Sequence, residues 1–130
     1  MTYCVAINIE AGLVMLSDTR TNAGVDNISR FKKMFSWEVP GERAIALMTA
    51  GNLSSTQGVV SHLTSAIDRD AAGEACETIL NCNSLYRVAE LVGAAMREMQ
   101  VLHHDSMVNQ GISAGASIIV GGQRKGGKPR

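Results

Sequence analysis

Aromatic side chains are scarce in this 130-residue sequence, with two tyrosines, two phenylalanines and one tryptophan, and there are only two prolines. A core built without aromatics must be filled by Val, Ile, Leu, Met and Ala, and thirteen glycines point to the close backbone packing of layered α/β structure. An excess of one charge is also lacking. Twelve basic residues balance twelve acidic ones, with no basic block before the final "RKGGKPR", so neither a nucleic acid nor an anionic membrane surface is the natural partner. No apolar run approaches the roughly 20 residues that cross a bilayer, and the N-terminus lacks the charged-then-apolar layout of a secretory signal. A cytoplasmic protein is expected. The three cysteines, Cys4, Cys76 and Cys82, have no metal-ligand spacing and form an odd set, which reads as buried thiols in a reducing compartment. The glycines at 121, 122, 126 and 127 form no phosphate loop, since no Gly-Lys-Ser/Thr and no helix follows them; they read as hairpin-turn material, and no cofactor is expected.

A chain of this length is expected to form a single domain over 1–130. Strands fill its first fifty residues. Tyr3 to Ile9 and Leu13 to Ser17 alternate around a turn at Glu10 to Gly12 and predict a hairpin. A loop is expected over Asp18 to Asn27, a third strand over about Lys32 to Val39, a turn at Pro40 and Gly41, and a fourth strand over Ala44 to Thr49. The period then changes. Ser54, three residues before Gln57, has the spacing of a capping box, and Val59, Val60, Leu63, Ala66 and Ile67 recur at helical spacing, predicting a helix over about 54–68. Residues 69–83 carry no clear period. Ser84 can cap a second helix, ending near 108, with Leu85, Val88, Leu91, Val92, Ala95, Met96, Met99 and Leu102 on its core face. "GISAGASIIVGGQ" then predicts a buried strand over about 115–122, entered through glycines and ending the chain without a partner strand. Such an unpaired edge is the mark of the front part of a larger domain.

Chemistry concentrates near the start. An α-amino group has a pKa near 7.7–8.0, so a threonine made N-terminal by removal of Met1 carries a nucleophile and a proton acceptor on one residue. Thr2 is that candidate, and its small side chain suits methionine removal. A weak nucleophile also needs a cation beside it and an anion that holds the cation in place; Asp18 with Lys32 or Lys33 can supply both. Other polar residues read as structural. His103 and His104 point about 100° apart on a helix and share no site, and His62 stands alone. Cys4 shares a strand face with Thr2 and reads as packing.

"TYCVAI", "GLVMLSDTRTNAG", "RFKKM" and "LMTAGNLSSTQ", in that order and spacing over residues 2–57, together resemble the proteasome β-type subunits of the Ntn-hydrolase superfamily. They are most similar to the bacterial Anbu group of ancestral β-subunit-like homologues. The resemblance implies an α+β fold, the αββα sandwich in which two antiparallel sheets lie between helical layers, with the C-terminal part of that fold missing here. It implies Thr2 as nucleophile with its own amino group as base, and Asp18 paired with a lysine. Lys33, which precedes Met34, matches that lysine best, and Lys32 is the alternative because the preceding loop is about one residue shorter than usual. Gly51 in "TAGN" matches the glycine whose N–H lines the oxyanion hole, and Arg20 and Gly24 match structural residues of the Asp18 loop. It also implies peptide or protein substrates, self-association into a ring or helical particle, and work alongside an ATP-driven unfoldase that no residue here identifies. Further serine and aspartate residues of the family's site lie beyond residue 130. That leaves two competitors to a threonine peptidase: a non-catalytic assembly subunit, and an Ntn amidase acting on a small amide.

Overall fold

The computed structural model describes residues 2–22, 28–109, 111, 113 and 115–130, and of these the side chains at 21, 22, 28 and 104–108 are left aside. Two compact units divide the chain: Met1–Ala50 with Ser117–Arg130, and Gly51–Ala116.

The first unit holds the sheets. β1 (Cys4–Ile9) and β2 (Gly12–Ser17) form the antiparallel hairpin expected from their alternation, in register from Cys4 opposite Ser17 to Ile9 opposite Gly12. Where a loop was expected, β3 (Arg20–Asn22) and β4 (Ile28–Arg30) pair as a short second ladder. Three-residue strands leave no periodicity to read. Gly24 lies outside the described residues. β5 (Met34–Val39) and β6 (Arg43–Gly51) flank a tight turn in which Glu42 N–H donates to Val39 O at 2.9 Å and Gly41 has φ +74°. Pro40 fixes its own φ and Gly41 takes the left-handed conformation, the division of labour of a type II turn. Phe35 and Trp37 stack on one face of β5 with centroids 6.4 Å apart, opposite the buried Leu47 and Ile45 of β6.

β7 (Ala116–Arg124) corrects the expectation of an unpaired last strand, because it joins the sheet in the order β5-β6-β7. The reason lies in two glycines that belong to the strand and not to a turn. A Cβ on Gly122 would run into the Ala44 carbonyl oxygen and come within 2.9 Å of Ile45 Cδ1, and one on Gly121 would lie 2.7 Å from Leu13 Cδ2. At Gly122 the wall is β6 main chain, and only glycine permits so close an approach, whereas the neighbours of Gly121 are side-chain ends of the hairpin. Gly126, with φ +74°, and Gly127 do form the expected turn, after which Arg130 exchanges two backbone hydrogen bonds with Gly122, at 2.8 and 3.0 Å.

The second unit holds the helices. α1 (Leu53–Ala71) begins ahead of the start that the Ser54 to Gln57 spacing predicts, because Asn52 is its cap: the Asn52 side chain accepts from Ser55 N–H at 3.1 Å. Such a cap contributes about 1 kcal/mol. α2 (Leu85–Asn109) starts as expected, with Ser84 Oγ accepting from Arg87 N–H at 3.0 Å. Val88, Val92, Ala95 and Met99 are buried along it, whereas Leu102, placed on the core face by spacing, is 68% exposed. The helices meet at Gly58, where a Cβ would lie 2.6 Å from Met99 Sδ. The aperiodic stretch between them is an ordered turn. Thr78 Oγ1 accepts from the N–H groups of Leu80 and Asn81, the Asn81 amide answers at Thr78 N–H and Cys76 O, and Ile79 and Cys82 are buried beside them.

Candidate active site

Pairing Cys4 with Ser17 at the open end of the hairpin brings the residues just outside it together. Asp18 N–H donates to Tyr3 O at 3.0 Å, and Tyr3 N–H donates to Asp18 Oδ1 at 2.8 Å, so the carboxylate is fastened to the segment that carries Thr2. Its other oxygen accepts from Arg20 N–H at 2.9 Å. Lys33 enters from the segment before β5. Its Nζ lies 2.9 Å from each Asp18 oxygen, 2.6 Å from Arg20 O and 3.2 Å from Thr2 Oγ1. Four oxygens thus converge on one buried ammonium. Lys32 goes elsewhere, with its Nζ 5.3 Å from the centre of the Phe35 ring.

The lysine is also held by its backbone, through a residue that the sequence did not single out. Thr49, buried in β6, donates to Lys33 O through both its N–H at 2.8 Å and its Oγ1 at 3.2 Å. A threonine two positions before a candidate oxyanion glycine carries no sequence signal for this, since the partner is a main-chain carbonyl. Arg20 contributes in the same silent way, through its N–H and C=O.

Electrostatics follow from these contacts. The Tyr3 N–H, then the Lys33 ammonium, hold the Asp18 carboxyl down at about 2. Because that value lies below the roughly 3.9 of an unfolded aspartate, the charged form favours the folded state above pH 4 and the benefit is lost as pH falls from there towards 2. Denaturation followed from pH 7 to pH 2 is expected to show the parent protein losing stability in that window, with a flatter profile for Asp18→Asn. Cys4, beside this cluster, has its thiol pKa raised by burial and by the Asp18 charge, with Lys33 opposing. Its Sγ points to Thr49 O at 3.8 Å, as a thiol in a packing role does.

Gly51, in the second unit, closes β6 with φ +97°. A Cβ there would collide with the Gly115 carbonyl oxygen and lie 3.0 Å from Ala116 Cα. Gly51→Ala therefore meets both a disfavoured backbone conformation and a rigid main-chain wall, and a loss of about 1–3 kcal/mol is expected in denaturant titration. His62 remains a surface residue, 3.4 Å from Glu98 across the helices, His103 is half-buried, and the side chain of His104 lies outside the described set. Among the described residues no group of three or more His, Cys, Asp or Glu side chains could hold a metal, and no helix is long and apolar enough to cross a membrane.

Chemically, the cluster presents an exposed hydroxyl whose oxygen already accepts from a fixed ammonium. Negative charge developing on Thr2 Oγ1 meets a donor that is in place before reaction begins.

No protein-family model matches the chain, and no curated protein matches it. Solved structures do. The Anbu (Gly-1) mutant from Hyphomicrobium sp. strain MC1 is 41% identical, with a TM-score of 0.82, over 100% of this chain and 50% of that one. The helical assembly of the Anbu complex from Pseudomonas aeruginosa shares 40% identity at a TM-score of 0.84, over 97% and 50%. Anbu (ancestral beta-subunit) from Yersinia bercovieri shares 38% identity at 0.78, over 98% and 50%. The chain therefore spans half the length of the structures it matches, and its α+β fold is that of their Ntn-type architecture.

Proposed function

For a chain that belongs to the Anbu family of proteasome-type Ntn-hydrolase homologues, matched over half the length of its structural neighbours, we propose the function of a threonine peptidase subunit. The observation that carries this reading is the contact of Lys33 Nζ with Thr2 Oγ1 at 3.2 Å, made by a lysine fixed on both Asp18 oxygens.

In this mechanism Met1, which lies outside the described residues, is removed and the Thr2 amino group becomes free. With a pKa near 7.7–8.0 a useful fraction of it is neutral at physiological pH and accepts the hydroxyl proton, directly or through a water. Thr2 Oγ attacks a substrate carbonyl while the Lys33 ammonium lowers the cost of the forming alkoxide. Asp18 holds that ammonium in position. The resemblance of "TAGN" assigns the carbonyl oxygen, as it becomes an oxyanion, to the Gly51 N–H, and the amine leaves with the proton held by the Thr2 amino group. Water then attacks the ester and regenerates the threonine. Peptides or unfolded proteins are the proposed substrates, the protein works in the cytoplasm, and copies associate as a homo-oligomer; the P. aeruginosa relative's helical assembly supports the last point.

A non-catalytic assembly subunit is the second reading, supported by the helical assembly of the P. aeruginosa relative. Incubation with an epoxyketone electrophile, which captures an N-terminal threonine through its hydroxyl and amine together, separates the two. One equivalent of covalent mass on Thr2 is expected. Absence of label on a protein shown by mass to begin at Thr2 favours the inert subunit.

A further inference from the structure

Two segments meet at the Thr2 hydroxyl, and Thr49 in β6 is bonded to each. Cys4, two residues after Thr2, points its Sγ at Thr49 O at 3.8 Å. On the other side, Lys33 stands one residue ahead of β5, whose register with β6 starts at Met34 opposite Met48. Thr49 extends that ladder by one position with its N–H on Lys33 O at 2.8 Å, and its Oγ1 donates to the same oxygen at 3.2 Å. The hydroxyl belongs to a residue only 4% exposed, so it must find its partner inside the protein, and it finds it in that carbonyl.

The doubled bond does more than extend a sheet. A carbonyl oxygen has two lone pairs, and a single N–H leaves the peptide plane behind it free to rock, because acceptor angles are broadly distributed. A second donor from the same buried residue fixes that plane, and with it the direction in which the Lys33 side chain departs. The ammonium magnifies any error: roughly 5° of tilt at the main chain displaces an atom about 6 Å out by about 0.5 Å, the tolerance within which a preorganised site works. Of the four oxygens around Nζ, Thr2 Oγ1 is the farthest, at 3.2 Å against 2.6 to 2.9 Å for Arg20 O and the Asp18 carboxylate. Three N–H groups cannot serve four acceptors equally. The hydroxyl contact, already at the long end of the hydrogen-bond range, is the one a small displacement gives up, while Asp18 and Arg20 keep hold of the ammonium.

We propose that Thr49 is a positioning residue of the site: its hydroxyl, acting through the Lys33 carbonyl, sets the distance between Lys33 Nζ and Thr2 Oγ1. The bonds of Thr49 go to Lys33 O and Cys4 Sγ, one step removed from the reacting atoms. The inference rests on the hydrolytic reading for its effect on rate, and on geometry alone for the contact it sets.

Three variants test it. Thr49→Val keeps the branched shape at Cβ and loses the donor, Thr49→Ala loses the donor without setting a methyl group against the carbonyl, and Thr49→Ser keeps the donor. On protein shown by mass to begin at Thr2, kcat is expected to fall about tenfold in Thr49→Val and Thr49→Ala with KM within about twofold of the parent, and to stay within about twofold in Thr49→Ser. Lys33 O keeps the Thr49 N–H in every variant, and denaturant titration checks that the fold is retained. Crystal structures of parent and variants supply the readout that does not depend on turnover: without the hydroxyl, Lys33 Nζ is expected beyond hydrogen-bonding distance of Thr2 Oγ1 with its contacts to Asp18 kept. Parent-like kcat in both variants that lack the hydroxyl overturns the proposal. So does a Thr49→Ser variant as slow as they are, which assigns the loss to packing. A parent without turnover fails the hydrolytic reading, and the structures then decide the positioning role: an unchanged Lys33–Thr2 contact in Thr49→Ala overturns it, and a lengthened one restored in Thr49→Ser upholds it.

Discussion

Thr2→Ala is expected to lower peptide turnover by on the order of 10³-fold or more, as removal of a nucleophile does elsewhere, while Thr2→Ser retains measurable activity. The pair is informative because both replacements are small enough to leave removal of Met1 unaffected, so both expose an amino group and differ only in the hydroxyl. Neither touches the frame of the site. Thr2 is exposed, and the bonds from Lys33 to Asp18 and to Arg20 O persist without it. Stability should therefore change by no more than about 0.5 kcal/mol. The measurement is kcat/KM on a fluorogenic peptide panel beside a denaturant titration of each variant. Equal activity of Thr2→Ala and parent ends the nucleophile assignment; equal loss in both variants assigns the γ-methyl a role in orienting the hydroxyl.

What could be read from the residues, and what could not, divides along a physical line. The hairpin of β1 and β2 and the start of α2 at Ser84 were legible because alternation and side-chain capping are written in the side chains themselves. The association of Thr2, Asp18 and a lysine came from the resemblance, which matched Lys33 best and kept Lys32 as the alternative, and in three dimensions it is Lys33 that reaches Asp18. The cap of α1 went to Asn52 over Ser54 because the Asn52 side chain is the one that reaches Ser55 N–H; both residue types cap well, so composition does not rank them. Residues 69–83 looked aperiodic; α1 runs through the first three of them, and the order around 76–81 comes from Thr78 and Asn81 bonding main-chain groups. Thr49 was invisible for the same reason. Pairing of β7 depended on the small volume of Gly122 against β6, and a sequence shows a missing side chain without showing what fills the space.

Lys33 is the residue whose loss should cost most after Thr2. Its ammonium has three N–H groups and four oxygens around it, those of Asp18, Arg20 O and Thr2 Oγ1, at 2.6 to 3.2 Å. Lys33→Ala removes the only described donor to Thr2 Oγ1 and leaves the Asp18 carboxylate with the Tyr3 and Arg20 N–H groups alone. A loss in kcat of about 10²–10³ is expected, the scale on which a fixed donor to developing charge acts. Lys33→Arg should not restore it. A guanidinium spreads its donors over a plane, whereas these oxygens surround a single point in a buried site. Asp18→Asn provides the coupling test: if Asp18 acts by positioning the lysine, its effect on kcat in the parent should vanish in the Lys33→Ala background. Additive losses in the double variant would instead mean that Asp18 acts on Thr2 by a route that bypasses Lys33, and the chain of contacts from carboxylate to ammonium to hydroxyl would lose its catalytic meaning.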